Sequence, residues 1–401
     1  MRILHTADWH LNDRLGRIDR TADLRAGVER IAGYCQSERI DVLAIAGDLF
    51  SELARPDALR ETVKHWQECF SPFLSRGGTI LAVTGNHDSE TFCQTLRHAM
   101  SLAAGEPIDG RIQPGRFHLA TKPTHLILRD PAGFDVSFAL MPWPTATQYP
   151  DAVVKAATPE EKTKKLSQAF AQALAAMPMK SPAVLIAHVN VTGATIGQLG
   201  FRLSEQDNIS IEATDIAKRF QYAAFGHVHK PQSIGGHEHV RYSGSLDRMD
   251  LGERHDQKSC VVVEVGPQGL TQPLQFLPLP SQAIYPIVIT DPATDLPRLK
   301  EEYPDADQDL VQLVIRYEAG RDRLEEVLAE ASALFPRWYA RDWKEVSALG
   351  PTLDAADEPD RTKGYEQTVR EYVGQELIQH PITERDTILT LLEEILPGES
   401  S

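Results

Sequence analysis

The feature that most constrains this chain is the repeated pairing of a short apolar run with a polar group that follows it at once. Five such groups occur before residue 230: Asp8-Trp9-His10, Gly47-Asp48, Gly85-Asn86-His87-Asp88, His188, and Gly226-His227-Val228-His229. Each follows a run that is typical of a buried strand. Because strand ends in an α/β sheet converge on one edge, this pattern favours a layered fold with polar chemistry at that edge.

The apolar runs also predict where the strands and helices lie. The predicted strands are Arg2 to Thr6, Val42 to Ala46, Ile80 to Thr84, Val136 to Leu140, Val184 to Ala187, Tyr222 to Phe225 and Cys260 to Val265. Apolar residues recur at helical spacing in two of the intervals: Leu24, Val28, Ile31 and Cys35, then Leu59, Val63, Trp66, Phe70 and Phe73. Strands alternating with helices at this rhythm predict an α/β layered domain.

The 401 residues are too many for one ordinary domain. We expect a first domain over residues 1–280 and, after a Pro-punctuated stretch, a small α+β capping domain over 281–348. The cap has predicted strands at Ile284 to Ile289 and Leu310 to Tyr317, and a predicted helix at Asp322 to Leu334. A Pro- and Asp-rich linker, 349–362, precedes a segment of two short amphipathic helices, 363–401.

The polar groups have the composition of a metal site. Carboxylate and amide oxygens together with imidazole nitrogens suit Mn²⁺, Fe²⁺, Zn²⁺ or Mg²⁺, and the absence of cysteine argues against a structural zinc site. Alternate residues of an extended segment face the same side, so Asp8 and His10 can reach one cluster, as can His227 and His229. Gly47, Gly85 and Gly226 leave room for a tight turn beside an ion.

Each group taken singly has an ordinary structural explanation. Asp-x-His is common in solvated loops, Gly-Asp and Gly-Asn-His-Asp in turns, and a lone histidine such as His188 in a satisfied core. The order of all five groups, each directly after a predicted strand, favours the functional explanation. The triplet His237-Glu238-His239 follows Gly235-Gly236 and is interpreted as an exposed hairpin rather than a metal site. Trp338, Tyr339 and Trp343 could stack on bases, but packing of the cap is favoured.

The series Asp-x-His, Gly-Asp, Gly-Asn-His-Asp, His and Gly-His-x-His resembles the signature of the calcineurin-like metallophosphoesterases. More narrowly, three stretches are similar to the bacterial SbcD family of nuclease subunits: residues 1–11, Ala46-Gly47-Asp48-Leu49-Phe50 and Gly85-Asn86-His87-Asp88-Ser89. Tyr242-Ser243-Gly244-Ser245 lies where that family carries a similar loop. Ser51 departs from the pattern, since relatives usually carry Asp or His there, which places a contact near the phosphate in question.

The resemblance implies a fold and a set of roles. The fold is a layered β-sandwich flanked by helices, with a small α+β cap and a C-terminal helical tail. One ion would bind Asp8, His10 and His229, a second would bind Asn86, His188 and His227, and Asp48 would bridge them. Two divalent ions are expected, with Mn²⁺ favoured. His87 would be the general acid, while His5 and Asp88 would support the ligands.

The resemblance also implies a function and partners. We expect a Mn²⁺-dependent DNA nuclease that processes double-strand ends as a 3′ to 5′ exonuclease and cuts hairpins and single strands as an endonuclease. It would act with the SbcC ATPase in an ATP-dependent manner and form a homodimer. An alternative is a phosphodiesterase for a small nucleotide or phosphodiester. A scaffold with a decayed site is disfavoured because the expected ligand set is intact.

Charge and composition limit the binding surfaces, the cysteine chemistry and the location that can be expected. The net charge of −16 argues against a broad basic surface for nucleic acid, although residues 351–401 alone hold twelve acidic and four basic side chains. A partner protein could supply a basic groove. Four widely spaced cysteines predict reduced core thiols rather than disulfides. The apolar strand at the first residues does not resemble a secretion signal, so we expect a cytoplasmic location without membrane contact.

Overall fold

A computed structural model describes residues 1–104, 107–154, 156–196 and 209–346, and Met1–Glu345 form one compact unit. The strands are β1 Arg2–Thr6, β2 Arg14–Leu15, β3 Ile18–Asp19, β4 Val42–Ala46, β5 Thr79–Val83, β6 Arg111–Ile112, β7 Phe117–Ala120, β8 Thr124–Arg129, β9 Asp135–Met141, β10 Ala183–His188, β11 Asn190–Val191, β12 Ser210–Ile211, β13 Tyr222–Gly226, β14 Gln232–Ile234, β15 His237–Tyr242, β16 Ser259–Gly266, β17 Gly269–Leu270, β18 Gln275–Pro278, β19 Ile284–Ile289, β20 Leu310–Tyr317 and β21 Trp338–Glu345. The helices are α1 Thr21–Ser37, α2 Pro56–Ser75, α3 Glu90–Ala104, α4 Pro150–Val154, α5 Pro159–Ala176, α6 Ala213–Arg219, α7 Pro292–Glu302 and α8 Leu324–Leu334, with a 3₁₀ turn at Leu251–Glu253.

Two large mixed sheets form the centre of the molecule. The first has the order β17-β16-β1-β4-β5-β7, with β18 also paired to β16, and the second has the order β14-β15-β13-β10-β9-β8-β6. Strands β1, β4 and β5 run parallel, as do β9, β10 and β13. The strands that carry the polar groups therefore come from two facing sheets rather than from one.

Buried side chains fill the space between the sheets and the space outside each of them. The layer between the sheets includes Ile3, Val42, Leu81, Leu140 and Ile186. Helices α1 and α2 cover the outer face of the first sheet, and α5 and α6 cover that of the second. The expected sandwich flanked by helices is confirmed. Each sheet has apolar residues on both faces, so both faces of each sheet must be covered.

The predicted strands are all present, with ends that differ by about one residue. The apolar face predicted for α1 is buried throughout, whereas in α2 Thr62 is buried and Val63 is only half-buried. Strands β7 and β8 and helices α3 and α5 were not predicted. The four cysteines are free thiols. No helix in the described part of the chain is long and apolar enough to cross a membrane.

The region Ile284–Glu345, here named the cap, has a sheet and a core of its own. Its parallel strands lie in the order β19-β20-β21, and α7 and α8 pack on them around Ile287, Leu313 and Phe335. The cap is therefore α/β rather than the expected α+β, because each helix connects two parallel strands. Strands β19 and β20 have the predicted limits, while β21 and α7 were not predicted. The proposed linker and helical tail, 349–401, lie outside the described residues, and the domain boundaries stay predictions.

Candidate metal centre

The polar loops that follow β1, β4, β5, β10 and β13 meet at one edge of the sandwich. Backbone hydrogen bonds join the first two: Asp8 N–H donates to the Gly47 carbonyl over 3.0 Å, and His10 N–H donates to the Asp48 carbonyl over 2.9 Å. The loop after β13 joins them through the His227 N–H, which donates to Asp8 Oδ1 over 2.9 Å. The seven predicted ligands are therefore brought to one place.

Asp8, His10 and His229 form the first group of candidate ligands, and their donor atoms lie within 4.8 Å of one another. The Nε2 atoms of His10 and His229 are 3.2 Å apart. Two nitrogens at that separation can both lie at a Zn²⁺-like bond length of about 2.1 Å from one ion. The group is thus shaped for a cation between the two rings.

Asn86, His188 and His227 form the second group. The Asn86 side-chain oxygen lies 3.0 Å from His188 Nε2 and 3.0 Å from His227 Nδ1. His188 donates through Nδ1 to the Ala46 carbonyl over 2.7 Å, so Nε2 is the ring atom that faces the group. The three donor atoms therefore lie close enough together to share one ion.

Asp48 lies between the two groups. Its Oδ2 is 3.6 Å from His10 Nε2 and 3.3 Å from His188 Nε2. This is the position that a bridging carboxylate requires. Asp8 also belongs to a second cluster with Asp48 and His188, a proximity that the sequence did not predict.

The backbone at these ligands is strained. Asp8, His10, Asp48 and His227 all have left-handed φ angles, of 52°, 44°, 50° and 103°. Non-glycine residues rarely adopt such angles, and they cluster where a site dictates side-chain direction. The prediction that Asp8 and His10 share a direction because they alternate along an extended segment is wrong in its reason, since turns at both residues aim them instead.

Burial and mutual contact set the charges of the site. Burial lowers the pKa of His10 and of His227 well below the usual range, so both rings are neutral and able to act as ligands. Burial alone would raise the pKa of Asp48, but His188 and His10 outweigh it and hold the pKa of this carboxyl well below its usual range. Burial raises the pKa of Asp8 to about 6, with a further contribution from Asp48.

The site fits divalent metal ions. Asp8 Oδ2 and His227 Nε2 are buried atoms that have no hydrogen-bond partner among the described residues. Buried polar atoms are costly to leave unpaired, and a cation would satisfy the carboxylate oxygen. The oxygen and imidazole donors match hard to borderline divalent cations.

His87 lies beside the ligands but in neither of the two metal-binding groups found among the described residues. Its backbone N–H donates to Asp48 Oδ1 over 2.9 Å, and its ring centroid is 5.2 Å from that of His10. With Asn86 and Trp143 it lines a cavity of about 630 Å³ that opens at the site. An imidazole in this position faces the space that a bound ester would occupy and lies outside both groups of candidate ligands.

The two predicted supporting residues have clear contacts. Asp88 accepts the backbone N–H groups of Gly85, Leu49 and Phe50 over 2.8, 3.2 and 2.9 Å, so it ties the loop after β5 to the loop after β4. His5 lies 2.9 Å from the Tyr222 hydroxyl and 3.2 Å from the Phe225 carbonyl, and so joins β1 to β13 across the sandwich.

Ser51, the departure from the family pattern, has a structural role in the loop after β4. It is buried, donates to Asp13 Oδ1 over 3.0 Å and accepts the Leu53 N–H over 3.2 Å. Its short hydroxyl therefore fixes the turn after β4.

The other residues singled out in the sequence lie elsewhere. His237 and His239 are in the β14–β15 hairpin, with ring centroids 5.9 Å apart, and belong to no metal-binding group among the described residues. Trp338 packs against the cap core and lies between Arg17 and Arg341, whose guanidinium carbons are 4.4 and 4.5 Å from its ring centroid. Trp343 is 46% exposed, so the favoured packing role applies to Trp338 and not to Trp343.

Two residues that sequence reasoning missed touch the ligands. Trp143 stacks on His227 with ring centroids 4.9 Å apart, and Glu253 accepts from His229 Nδ1 over 2.7 Å. Trp143 had a signal, since it follows the end of β9 just as the other groups follow their strands. Glu253 had none, because 24 residues of chain separate it from His229.

The model of the calcineurin-like phosphoesterase family matches residues 1–231, which contain all five loops of the site. The chain belongs to this family. It is therefore a hydrolytic phosphodiesterase, and the two clusters of candidate ligands agree with the divalent-metal chemistry of that fold.

This calcineurin-like phosphoesterase is similar to three bacterial proteins that are each named as the SbcD component of the nuclease SbcCD. Identity is 26% with that of Bacillus subtilis, over 67% of each chain, and 27% with that of Rhodobacter capsulatus, over 72% of this chain and 73% of the relative. It is 28% with that of Escherichia coli K12, over 63% of this chain and 62% of the relative. Among solved structures, a dimetal phosphatase from Danio rerio aligns with 70% of this chain and 99% of its own at 9% identity and a TM-score of 0.38.

Proposed function

We propose that this phosphodiesterase is a Mn²⁺-dependent DNA nuclease that cleaves double-strand ends, hairpins and single strands. The observation that carries the proposal is the position of Asp48 between two groups of three donors at one strained edge of the sandwich. Two ions held in this way would clamp a phosphodiester and lower the pKa of a shared water, which is the chemistry of two-metal hydrolases.

The contacts of the residues support a role for each. Asp8, His10 and His229 would hold one ion, Asn86, His188 and His227 would hold the other, and Asp48 would serve both. His188 is fixed by the Ala46 carbonyl and cannot turn away, and Asp8 is fixed by the His227 N–H. Side chains held in this way would present their ligand atoms in one arrangement, which would reduce the entropy cost of positioning the reacting groups.

His87 is the proposed general acid. Its ring lies at the cavity wall, where the leaving sugar oxygen of a bound strand would depart, and an imidazole can carry a proton near neutral pH. The backbone N–H of His87 donates to Asp48 Oδ1, which ties the loop that carries the ring to the proposed bridging carboxylate.

DNA is favoured over a small phosphodiester for two reasons. The relatives are named as components of a nuclease, and the cap adds a separate α/β layer beyond the sandwich that a small substrate would not need. The names of these relatives support a nuclease that acts with a second SbcCD component. From the family resemblance of the sequence we also propose 3′ to 5′ exonuclease and single-strand endonuclease activity, ATP-dependent action with the SbcC ATPase, and a homodimer. The proposed domains are a nuclease domain over 1–280, a cap over 281–348, a linker over 349–362 and an SbcC-binding segment over 363–401.

End-labelled duplex DNA tests the proposal. The purified chain with Mn²⁺ should degrade the duplex, chelation of the metal should stop it, and Asp48→Asn should abolish both cleavage and full metal occupancy. An exposed carboxylate, Asp57→Asn on α2, is the matched control and should behave as wild type. Rapid hydrolysis of a chromogenic phosphodiester without any cleavage of DNA, alone or with SbcC and ATP, would favour the small-substrate alternative.

A further inference from the structure

A buried carboxylate lies directly behind one of the proposed metal ligands. Glu253 is the last residue of the 3₁₀ turn that follows the loop after β15, and only 6% of it is exposed. Its Oε1 accepts the Nδ1–H of His229 over 2.7 Å. A carboxylate that holds the far nitrogen of a ligating histidine fixes both the ring orientation and the tautomer.

The two oxygens of Glu253 have different surroundings. Oε2 lies among donors: Lys258 Nζ at 2.7 Å, the Met249 N–H at 3.1 Å and the Ser245 hydroxyl at 3.1 Å. Oε1 faces His229. Because one oxygen is anchored by a cation and a backbone N–H, the other is held in place against the imidazole.

Lys258, the ion-pair partner of Glu253, also contacts His229. Its side chain is fully buried, and its Nζ donates to the His229 carbonyl over 2.8 Å. The Glu253–Lys258 ion pair thus contacts His229 at its ring and at its backbone. With Nδ1 donating to Glu253, the lone pair of the ring is on Nε2, the atom that lies 3.2 Å from His10 Nε2.

We propose that Glu253 is the positioning residue for His229, which keeps the ring in the tautomer whose Nε2 faces the metal bound by Asp8 and His10. The inference rests on the proposed function in that it takes this group to bind a divalent ion. It adds a role for Glu253, which lies 24 residues after His229 in the sequence.

Glu253→Gln is a sharp test because the amide is almost the same size as the carboxylate. The donors around Oε2 favour the amide oxygen on their side, so the amide NH₂ must face His229. His229 Nδ1 then has to accept, its proton moves to Nε2, and the lone pair that faces the ion is lost. Lys258 keeps Asp256 as a partner at 3.3 Å, which favours retention of the fold.

The measurement is calorimetric titration of the full-length protein with Mn²⁺, together with ¹⁵N NMR of the histidine rings. Glu253→Gln should weaken one of the two metal sites by about 10- to 100-fold, the usual effect of removing such a partner, and leave the other nearly unchanged. The NMR signal of one ring should change from the Nδ1–H to the Nε2–H form. Glu68→Gln, an exposed position on α2, is the matched control and should match wild type.

Glu253→Asp keeps the charge and the tautomer and should lose less affinity than Glu253→Gln, which also covers the case in which the amide variant does not fold. The positioning role would be overturned if Glu253→Gln bound Mn²⁺ at both sites with wild-type affinity. It would also be overturned if Glu253→Asp weakened both sites equally and lost folding cooperativity. Failure of the wild-type protein itself to bind Mn²⁺ would remove the proposed function and this inference together.

Discussion

His87 differs from the neighbouring histidines in how it is held. His188 and His229 each have one ring nitrogen fixed by an oxygen at 2.7 Å, as expected of ligands that must not rotate. His87 is instead anchored through its backbone to Asp48, and its ring lies at the cavity wall with Glu52 at 3.7 Å. The cavity wall is where a group that gives a proton to the leaving oxygen would have to lie.

His87→Ala should therefore separate chemistry from metal binding. We expect both ions to remain and cleavage of duplex DNA to fall by roughly 10² to 10⁴, the usual contribution of a general acid. Metal content by elemental analysis and single-turnover cleavage are the two measurements. His98→Ala, at an exposed position on α3, is the control. Loss of metal in the His87 variant would make it a ligand, and unchanged turnover would remove it from the mechanism.

At the scale of elements, the site depends on how closely the strand ends of the two sheets approach. Gly226 ends β13, and a Cβ there would lie 2.0 Å from the Ala46 carbonyl oxygen at the end of β4. Gly85 has a constraint within the first sheet, since its Cβ would lie 2.0 Å from Asp48 Oδ1 and 2.5 Å from the Asp48 backbone nitrogen. A backbone atom cannot swing aside as a flexible side chain can, so the two sheets meet only where one of them lacks a side chain.

Gly226→Ala should force β13 away from β4 and separate His227 from Asn86. We expect a loss of roughly 1 to 3 kcal/mol in the free energy of unfolding, as for other overpacked sites, and weaker binding at the ion held by Asn86, His188 and His227. Urea unfolding and Mn²⁺ titration measure the two effects.

The chain offers a matched control in Gly33, which lies inside α1 with no atom within 4 Å of the position that a Cβ would occupy. Gly33→Ala should be neutral or stabilising by up to about 1 kcal/mol, because alanine is the better helix former. If Gly226→Ala were as stable as Gly33→Ala, the close approach of the sheets would not be required.

At the scale of the whole molecule, a network of charges joins the cap to the sandwich. Arg20 is buried and pairs with Asp23 and Asp247, each over 2.7 Å. Asp247 accepts the Gln282 N–H over 3.0 Å at the entry to the cap, and Asp23 also pairs with Arg337 before β21. Removal of one member would leave a buried charge without its partner and would destabilise the contact between the sandwich and the cap.

The acidic segment beyond the cap leads to the last prediction. Residues 363–401 contain none of the proposed ligands, and the two short amphipathic helices that the sequence predicts there would be marginal without a surface to cover their apolar faces. Truncation after Gly350 should leave the metal-dependent nuclease activity of the isolated chain nearly unchanged and abolish co-purification with SbcC. Full-length protein is the control. Complex formation by the truncated chain with undiminished affinity would show that this segment is not the tether.

The sequence by itself determined the strands that carry the polar loops, the order of those loops and the residue types of the site, because apolar period and strand-end position are local properties. It also predicted β19 and β20 of the cap to the residue. The tertiary structure alone decided which sheet each loop comes from, the left-handed turns that aim Asp8 and His10, and the contact of Glu253 with His229. These depend on how distant segments pack, and a strained angle or a partner 24 residues away leaves no period in the sequence from which it can be inferred.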